Sequence, residues 1–128
     1  MSQKDALLNL GWNLINDKNQ ELFSISKFTL YQFVTSAEEY ITWDMMLDRA
    51  KGIGAYGSQN LAEHILEEQN NIPEEWKKYN IVLPNTTWKS VTGHSLCPYL
   101  SFKNNKWVLQ YYWFLYDFHH NDRFLIIK

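Results

Sequence analysis

The spacing of apolar residues changes near position 80 of the chain. Before that position most apolar side chains recur at intervals of three and four residues, and after it they alternate with a period of two. The first spacing is typical of helices and the second of strands. We therefore expect an α+β fold, in which an antiparallel sheet is built mainly from the C-terminal half and the N-terminal and central helices pack on one face of it.

Residues 1–79 are predicted to contribute helices and one strand to a single domain of 128 residues. In the first predicted helix, the spacing of Leu7, Leu10 and Leu14 outweighs Gly11, which costs about 1 kcal/mol relative to alanine. The second begins at Ser36-Ala37-Glu38-Glu39, a capping-box sequence. The expected elements are helices at 4–18, 36–51 and 58–71, a strand at 25–35 and a single helical turn at 72–76.

Residues 80–128 are predicted to be rich in β-structure. The pair Asn104-Asn105 separates two strand-like runs and is typical of a two-residue hairpin turn. Both faces of the longest run, 106–116, are apolar or aromatic, which predicts a strand covered on both sides or one with a face open to a partner. The expected strands are 80–84, 86–91, 96–103, 106–116 and 123–128.

The segment 52–57, Gly-Ile-Gly-Ala-Tyr-Gly, has the glycine spacing of a dinucleotide-binding turn. Such a turn needs a strand before it and a helix after it, whereas a predicted helix precedes this one. We therefore expect no nucleotide cofactor. Gly52 is predicted to end the helix, and Gly54 and Gly57 to form a pliable loop with Tyr56 at its tip.

Composition favours a folded domain in a reducing compartment. Aromatic residues make up 16% of the chain, and Cys97 is the one cysteine, which excludes an internal disulfide. The N-terminal residues contain no long apolar run, so neither a signal peptide nor a membrane partner is expected. Cytoplasmic localisation is the simplest expectation.

Histidines and carboxylates supply the candidate catalytic chemistry. His119 and His120 lie between Asp117 and Asp122, all of them residue types that bind zinc. No metalloprotease motif, cysteine pair or activated-nucleophile motif accompanies them. We expect no metal or other cofactor, and a small enzyme or metal-binding protein remains an alternative. The histidines on which it would depend are His64, His94, His119 and His120.

Charge is unevenly distributed, which favours a binding function. The net charge of −2 contains an excess of seven negative charges in 36–75 and five positive charges in 76–128. Our leading hypothesis is a non-enzymatic domain that binds a protein with a basic surface, as inhibitors, immunity proteins and adaptors do. The expected contact residues are Glu38, Asp44, Asp48, Tyr56, Glu63, Glu67 and Glu68.

Single-stranded nucleic acid is a second alternative partner. An aromatic sheet face can stack bases, and Trp76, Trp88, Trp107 and Tyr112 are interleaved with lysines. The acidic segment 36–75 would repel phosphate, which makes nucleic acid the less favoured partner.

Overall fold

Three α-helices and a curled, seven-stranded mixed sheet form the structure, a computed structural model that describes residues 2–128. The chain is therefore α+β. Short 3₁₀ helices cover 25–27, 69–71 and 74–78. No helix within residues 2–128 has the length and apolarity needed to cross a membrane. The elements in chain order are α1 (Gln3–Asn9), β1 (Asn13–Asp17), β2 (Phe28–Gln32), α2 (Trp43–Ile53), α3 (Gln59–Glu67), β3 (Asn80–Val82), β4 (Thr86–Lys89), β5 (Ser95–Lys103), β6 (Lys106–Trp113) and β7 (Asp122–Ile127).

Strand β5 lies at the centre of the sheet and pairs with other strands along both of its edges. Along one edge it pairs with β6 over its whole length. Along the other it pairs with β4 near its start and with β3 further on, so the sheet divides there into two branches. One branch continues from β4 to β1, and the other from β3 through β7 to β2.

The predicted sheet was wrong in two respects. It is mixed rather than antiparallel, because β3 and β7 run parallel. It is also not built clearly from the C-terminal half, because β1 and β2 come from the first 32 residues. Separate branches let these early strands pair with late ones, which local sequence spacing does not reveal.

The prediction that the helices share one face of the sheet was also wrong. Alternate residues of β5 enter two different cores. Leu100 packs in one core with Leu61 of α3. Cys97 lies in the other with Met46 of α2. Because successive strand residues point to opposite faces, α2 and α3 cover opposite sides of the sheet.

The first predicted helix ends early. Helix α1 stops at Asn9, and Gly11 follows with a φ of 90°, a conformation that favours glycine. Leu14 then pairs with Trp88 in β4 instead of continuing a helical stripe. Pairing with a distant strand thus outweighs the local helical spacing of the leucines.

The predicted capping box does not start a helix. Helix α2 begins at Trp43, with Thr42 as its N-cap. The Glu38 carboxylate accepts hydrogen bonds from Thr35 N–H and from Arg49. This side chain therefore stabilises the loop before the helix rather than a helix start at residue 36.

Several local predictions are confirmed. Ser58 is the N-cap of α3 and accepts from Leu61 N–H at 3.2 Å. Asn104 and Asn105 form the two-residue turn between β5 and β6, with φ values of 53° and 65°. The helical turn predicted at 72–76 is present as a 3₁₀ helix over 74–78, with Pro73 as its N-cap rather than its first residue. Each of these depends on neighbouring residues alone, which explains why the sequence predicts them.

The glycine-rich connection after α2 is buried and hydrogen-bonded, contrary to the predicted pliable loop. Gly54, not Gly52, ends α2 in a left-handed conformation. Tyr56 N–H donates to Leu125 C=O at 2.8 Å, and Gly57 N–H donates to the Asn85 side chain at 2.8 Å. Tyr56 is half-buried, not at an exposed tip. The connection thus forms part of the core.

Replacing Gly57 with alanine should destabilise the fold by about 1–3 kcal/mol. An added Cβ would lie 2.6 Å from Leu83 Cδ2 and 3.0 Å from Leu83 Cα, and the backbone atom cannot move aside without disturbing β3. Urea unfolding measures the change.

The matched control is Gly52→Ala in the last turn of α2. A Cβ there meets no atom within 4 Å. Alanine should raise the free energy of unfolding by up to about 1 kcal/mol, because it has less backbone entropy to lose on folding. Equal losses in the two variants would contradict the close approach at Gly57.

Candidate functional site

The chain makes a tight turn after β6, and the turn exposes three large apolar side chains. Tyr116 N–H donates to Trp113 C=O at 2.9 Å, which closes the turn, and Phe114 N–H donates to Ser95 C=O at 2.9 Å. We call the side chains of Trp113, Phe114 and Leu115 the apolar patch. Their backbone is fixed by hydrogen bonds while the side chains project outward.

Exposure of the apolar patch is unusual for a turn. Leu115 is 68% exposed, Trp113 51% and Phe114 39%. Turns ordinarily use glycine, proline, asparagine, aspartate or serine, and none of these occurs at positions 113–116. Folding leaves this apolar surface in water, where contact with a partner could remove it.

A groove of about 310 Å³ separates the apolar patch from the start of α2. Phe114 and Leu115 form one side, and Trp43 and Asp44 form the other. Asp117 also lines the groove, so carboxylates stand at its border. The groove is open to solvent and runs beside the most exposed residue of the patch.

Three carboxylates, Asp44, Asp48 and Asp117, form what we call the acidic rim. Asp48 lies one helical turn beyond Asp44 and shares with it a second depression along α2. Lys51 lines this depression too and offsets part of the charge. The side of the apolar patch that faces α2 therefore carries an excess of negative charge.

Beneath the apolar patch lies a stack of three tyrosine rings. The Tyr99 and Tyr112 rings are nearly parallel with centroids 3.7 Å apart, and those of Tyr112 and Tyr116 are 4.1 Å apart. A cavity of about 420 Å³ opens over this stack. Its lining consists of Tyr99, Tyr111, Tyr112, Trp113, Leu115 and Tyr116.

A buried carboxylate holds the tyrosine stack in place. Asp122, at the start of β7, is 0% exposed. Its Oδ1 accepts from the Tyr112 hydroxyl at 2.8 Å, and its Oδ2 accepts from His119 N–H at 2.9 Å. The Asn80 side chain donates to Oδ1 at 3.4 Å. One side chain thus joins β6, β7, β3 and the turn before β7.

Burial changes the acidity of the groups around Asp122. It raises the pKa of the Asp122 carboxyl above its ordinary value, although the hydrogen bonds oppose the shift. Burial and the neighbouring carboxylate also raise the pKa of Tyr112, so its hydroxyl remains a donor. Burial raises the pKa of the Cys97 thiol as well. This thiol is 0% exposed and stays protonated, which makes it a core residue rather than a nucleophile for an external substrate.

The predicted acidic contact residues do not form one surface. Asp44 and Asp48 lie on α2 beside the apolar patch. Glu63, Glu67 and Glu68 belong to α3 and its C-cap, on the opposite face of the sheet. Their local partners differ too, since Glu63 accepts from Gln3 N–H and Glu68 lies 4.0 Å from His64.

Glu38 and Tyr56, two further predicted contact residues, are engaged within the fold. Both carboxylate oxygens of Glu38 accept from Arg49, at 2.6 and 2.7 Å. The Arg49 guanidinium, followed by Thr35 N–H, lowers the pKa of Glu38 to about 2. The Tyr56 hydroxyl donates to Glu21 C=O at 2.7 Å.

The four histidines are dispersed. His94 stacks on Trp113, with ring centroids 5.0 Å apart, and so borders the apolar patch. The His119 ring lies 6.0 Å from that of Tyr116. His120 Nε2–H donates to Thr35 C=O at 3.0 Å and also contacts Glu38 C=O, which anchors the loop before α2. Within residues 2–128, no three histidine, cysteine or acidic side chains are grouped as metal ligands.

The aromatic side chains of the nucleic-acid alternative are buried. Trp76, Trp88, Trp107 and Tyr112 are each no more than 8% exposed. They belong to the cores on either side of the sheet. Their rings therefore offer no surface on which bases could stack.

Sequence reasoning missed the turn at 113–116 because it extended the strand through it. The pattern of apolar residues continues to Tyr116, whereas pairing with β5 ends near Ser95. The partner strand, not the apolar pattern, sets where β6 stops. A count of the residues available in β5 would have given this limit.

No protein-family model matches the chain, and no curated protein or solved structure matches it either.

Replacing Asp122 with asparagine should flatten the pH dependence of stability. A carboxyl whose pKa is raised in the folded state stabilises most when protonated, so stability should decline as the pH rises from about 4 through the raised pKa. The amide can accept from His119 N–H and donate to the Tyr112 hydroxyl. Below pH 4 the variant should therefore stay within about 1 kcal/mol of the parent protein.

Urea unfolding across pH 3 to 8 measures this difference. The variant should gain stability relative to the parent protein as the pH rises. Asp117→Asn, which removes one charge from the exposed end of the same connection, controls for net charge. A difference between Asp122→Asn and the parent that stays constant across the range would contradict the raised pKa.

Proposed function

We propose that this domain binds a protein partner through the apolar patch, with the acidic rim beside it. The observation that carries the proposal is the exposure of Trp113, Phe114 and Leu115, from 39% to 68%, on one hydrogen-bonded turn. Contiguous exposed apolar side chains bordered by polar residues are typical of interaction sites.

The chemistry of the apolar patch suits an interface centre. Tryptophan is enriched among the residues that dominate binding energy, and such residues are most effective where neighbours exclude water from them. His94 stacks against Trp113, and the groove beside Leu115 can receive a side chain of the partner. The partner surface should therefore present apolar or aromatic side chains at its centre.

The acidic rim favours a partner with lysine or arginine around its apolar centre. Asp44 and Asp117 border the groove, and Asp48 continues the rim along α2. Charges at the margin of an interface chiefly raise the association rate and select among partners, and salt weakens both effects. Affinity should accordingly depend on the apolar patch more than on the rim.

We propose the cytoplasm as the location of this interaction. Cys97 is a buried free thiol, and a lone free cysteine is compatible with a reducing compartment. The proposed activity is binding rather than catalysis, in the manner of an inhibitor, immunity protein or adaptor.

Leu115→Lys should abolish partner binding without unfolding the domain. A residue that anchors an interface contributes roughly 2 kcal/mol or more, so affinity should fall by at least about thirtyfold. Tagged protein is incubated with a lysate of the organism that encodes it, and retained proteins are quantified by mass spectrometry.

The matched control is Leu10→Lys, because Leu10 is 67% exposed and Leu115 is 68% exposed. Leu10 is the C-cap of α1 and is not one of the side chains of the apolar patch. A partner of the patch should be retained by the parent protein and by Leu10→Lys but lost with Leu115→Lys. An identical set of retained proteins for all three baits would contradict the proposal.

A further inference from the structure

Strand β6 is an edge strand: within residues 2–128 it pairs with β5 on one side and with no strand on the other. It has eight residues, whereas β1 and β2, the other edge strands, have five each. Strand β1 is also interrupted by a register shift between Leu14 and Asn16. β6 therefore offers the longest continuous edge, and an open edge can pair with another chain.

The register of β5 and β6 decides which backbone groups point outward. Phe114 N–H donates to Ser95 C=O, so that pair faces inward. Hydrogen-bonded pairs in an antiparallel ladder alternate with non-bonded ones, so Tyr112 and Gln110 also bond inward. The backbone groups of Leu109, Tyr111 and Trp113 consequently point away from the sheet.

The ends of this outward row are already occupied. Trp107 N–H donates to the Gln69 side chain at 3.0 Å, and Leu109 C=O accepts from the Gln3 side chain at 3.0 Å. Trp113 C=O accepts from Tyr116 N–H within the turn. The first two bonds close the edge as far as Leu109 C=O, and the third closes it at Trp113 C=O, which leaves a short central window between them.

Three backbone groups in the central window have no hydrogen-bond partner among residues 2–128. They are the N–H groups of Tyr111 and Trp113 and the C=O of Tyr111. The Tyr111 hydroxyl is hydrogen-bonded to the Gln59 side chain, and the centroid of the Tyr111 ring lies 5.4 Å from that of Trp12. The strand is thus held in an extended form while its edge stays open.

The tyrosine cavity opens onto the same window. Tyr112 and Tyr99 project from one face of the sheet, and Tyr111 and Trp113 from the other. A single cavity lined by residues of both faces must reach around the edge of β6. An added strand would place its alternate side chains over the tyrosine stack.

We propose that an extended segment of the protein partner pairs with β6 as an additional, antiparallel strand. This inference rests on the proposed function and names the form of the partner. One residue of the segment bonds both the N–H and the C=O of Tyr111, and the residue two positions before it accepts from Trp113 N–H. Antiparallel pairing is the more stable arrangement per residue.

The side chains that border the β6 edge indicate which residues the added segment should carry. The residue opposite Tyr112 faces the tyrosine stack, so it should be aromatic or apolar. An antiparallel segment has its N-terminal side beyond Trp113, near Asp117 and Asp44. Charge complementarity therefore calls for lysine or arginine before the aromatic residue.

A random twelve-residue peptide library displayed on phage is the probe. The library is selected on the parent protein, and the enriched peptides should carry a basic residue shortly before an aromatic one in an alternating sequence. For an enriched peptide, amide hydrogen exchange is measured by NMR. Exchange at Tyr111 and Trp113 should slow by at least about tenfold on binding, while inward-facing amides keep their protection.

Two variants at one position isolate the backbone bond. Trp113→Pro removes the indole and the outward N–H, whereas Trp113→Thr removes the indole but keeps the N–H. Proline is tolerated at this position because an edge N–H that faces solvent has no ladder bond to lose. The proline variant should bind an enriched peptide about five- to tenfold more weakly than the threonine variant. The exchange measurement uses the parent protein and so does not depend on how either variant folds.

The outcomes separate this inference from the proposed function. Slowed exchange at Tyr111 together with weaker binding by Trp113→Pro supports strand addition. If partner proteins depend on Leu115 but no peptide is enriched, or if an enriched peptide leaves exchange at Tyr111 and Trp113 unchanged, the function stands and strand addition is wrong. If no bound protein or peptide depends on Leu115, both proposals fail.

Discussion

The fold depends on how closely the connection between α2 and α3 approaches the sheet. The two helices lie on opposite faces, so residues 54–58 must pass from one side to the other. They pass at the break between β3 and β4, where Gly57 lies against the Leu83 backbone and exchanges hydrogen bonds with Asn85. The connection also bonds Leu125 in β7. The two branches of the sheet are therefore joined through a contact that leaves no room for a side chain at position 57.

Coverage of both faces leaves the margin of the sheet as the surface that the helices do not occupy. The turn at 113–116 projects from this margin, and contacts with buried residues fix its position. Asp122 binds Tyr112, and the Tyr112 ring stacks on Tyr116, the last residue of the turn. A buried polar cluster thus positions an exposed apolar one. A surface held in this way loses little conformational entropy on binding, which favours affinity.

Features set by adjacent residues could be predicted from the sequence, and features set by distant pairing could not. The Ser58 cap and the Asn104-Asn105 turn depend on local backbone geometry. The α+β class follows from hydrophobic spacing. In contrast, Leu14 joins a strand because β4 lies beside it, and Glu38 is held by Arg49, eleven residues away. The aromatic residues of the candidate site can be identified from the sequence, whereas the end of β6 that exposes them is determined by its pairing with β5.

Charge segregation along the chain does not become charge segregation in space. The acidic stretch divides between α2 and α3, which lie on opposite faces of the sheet, so the carboxylates of α3 lie away from the apolar patch, which is bordered by those of α2 and by the nearby Asp117. A rim of this size can steer a basic partner, but exposed charge pairs each contribute about 1 kcal/mol or less. For the proposed partner, binding strength must therefore come from the apolar side chains and from the backbone edge beside them. Since the exposed side chain of Leu115 contributes little to the core, this surface can change in specificity while the fold beneath it is retained.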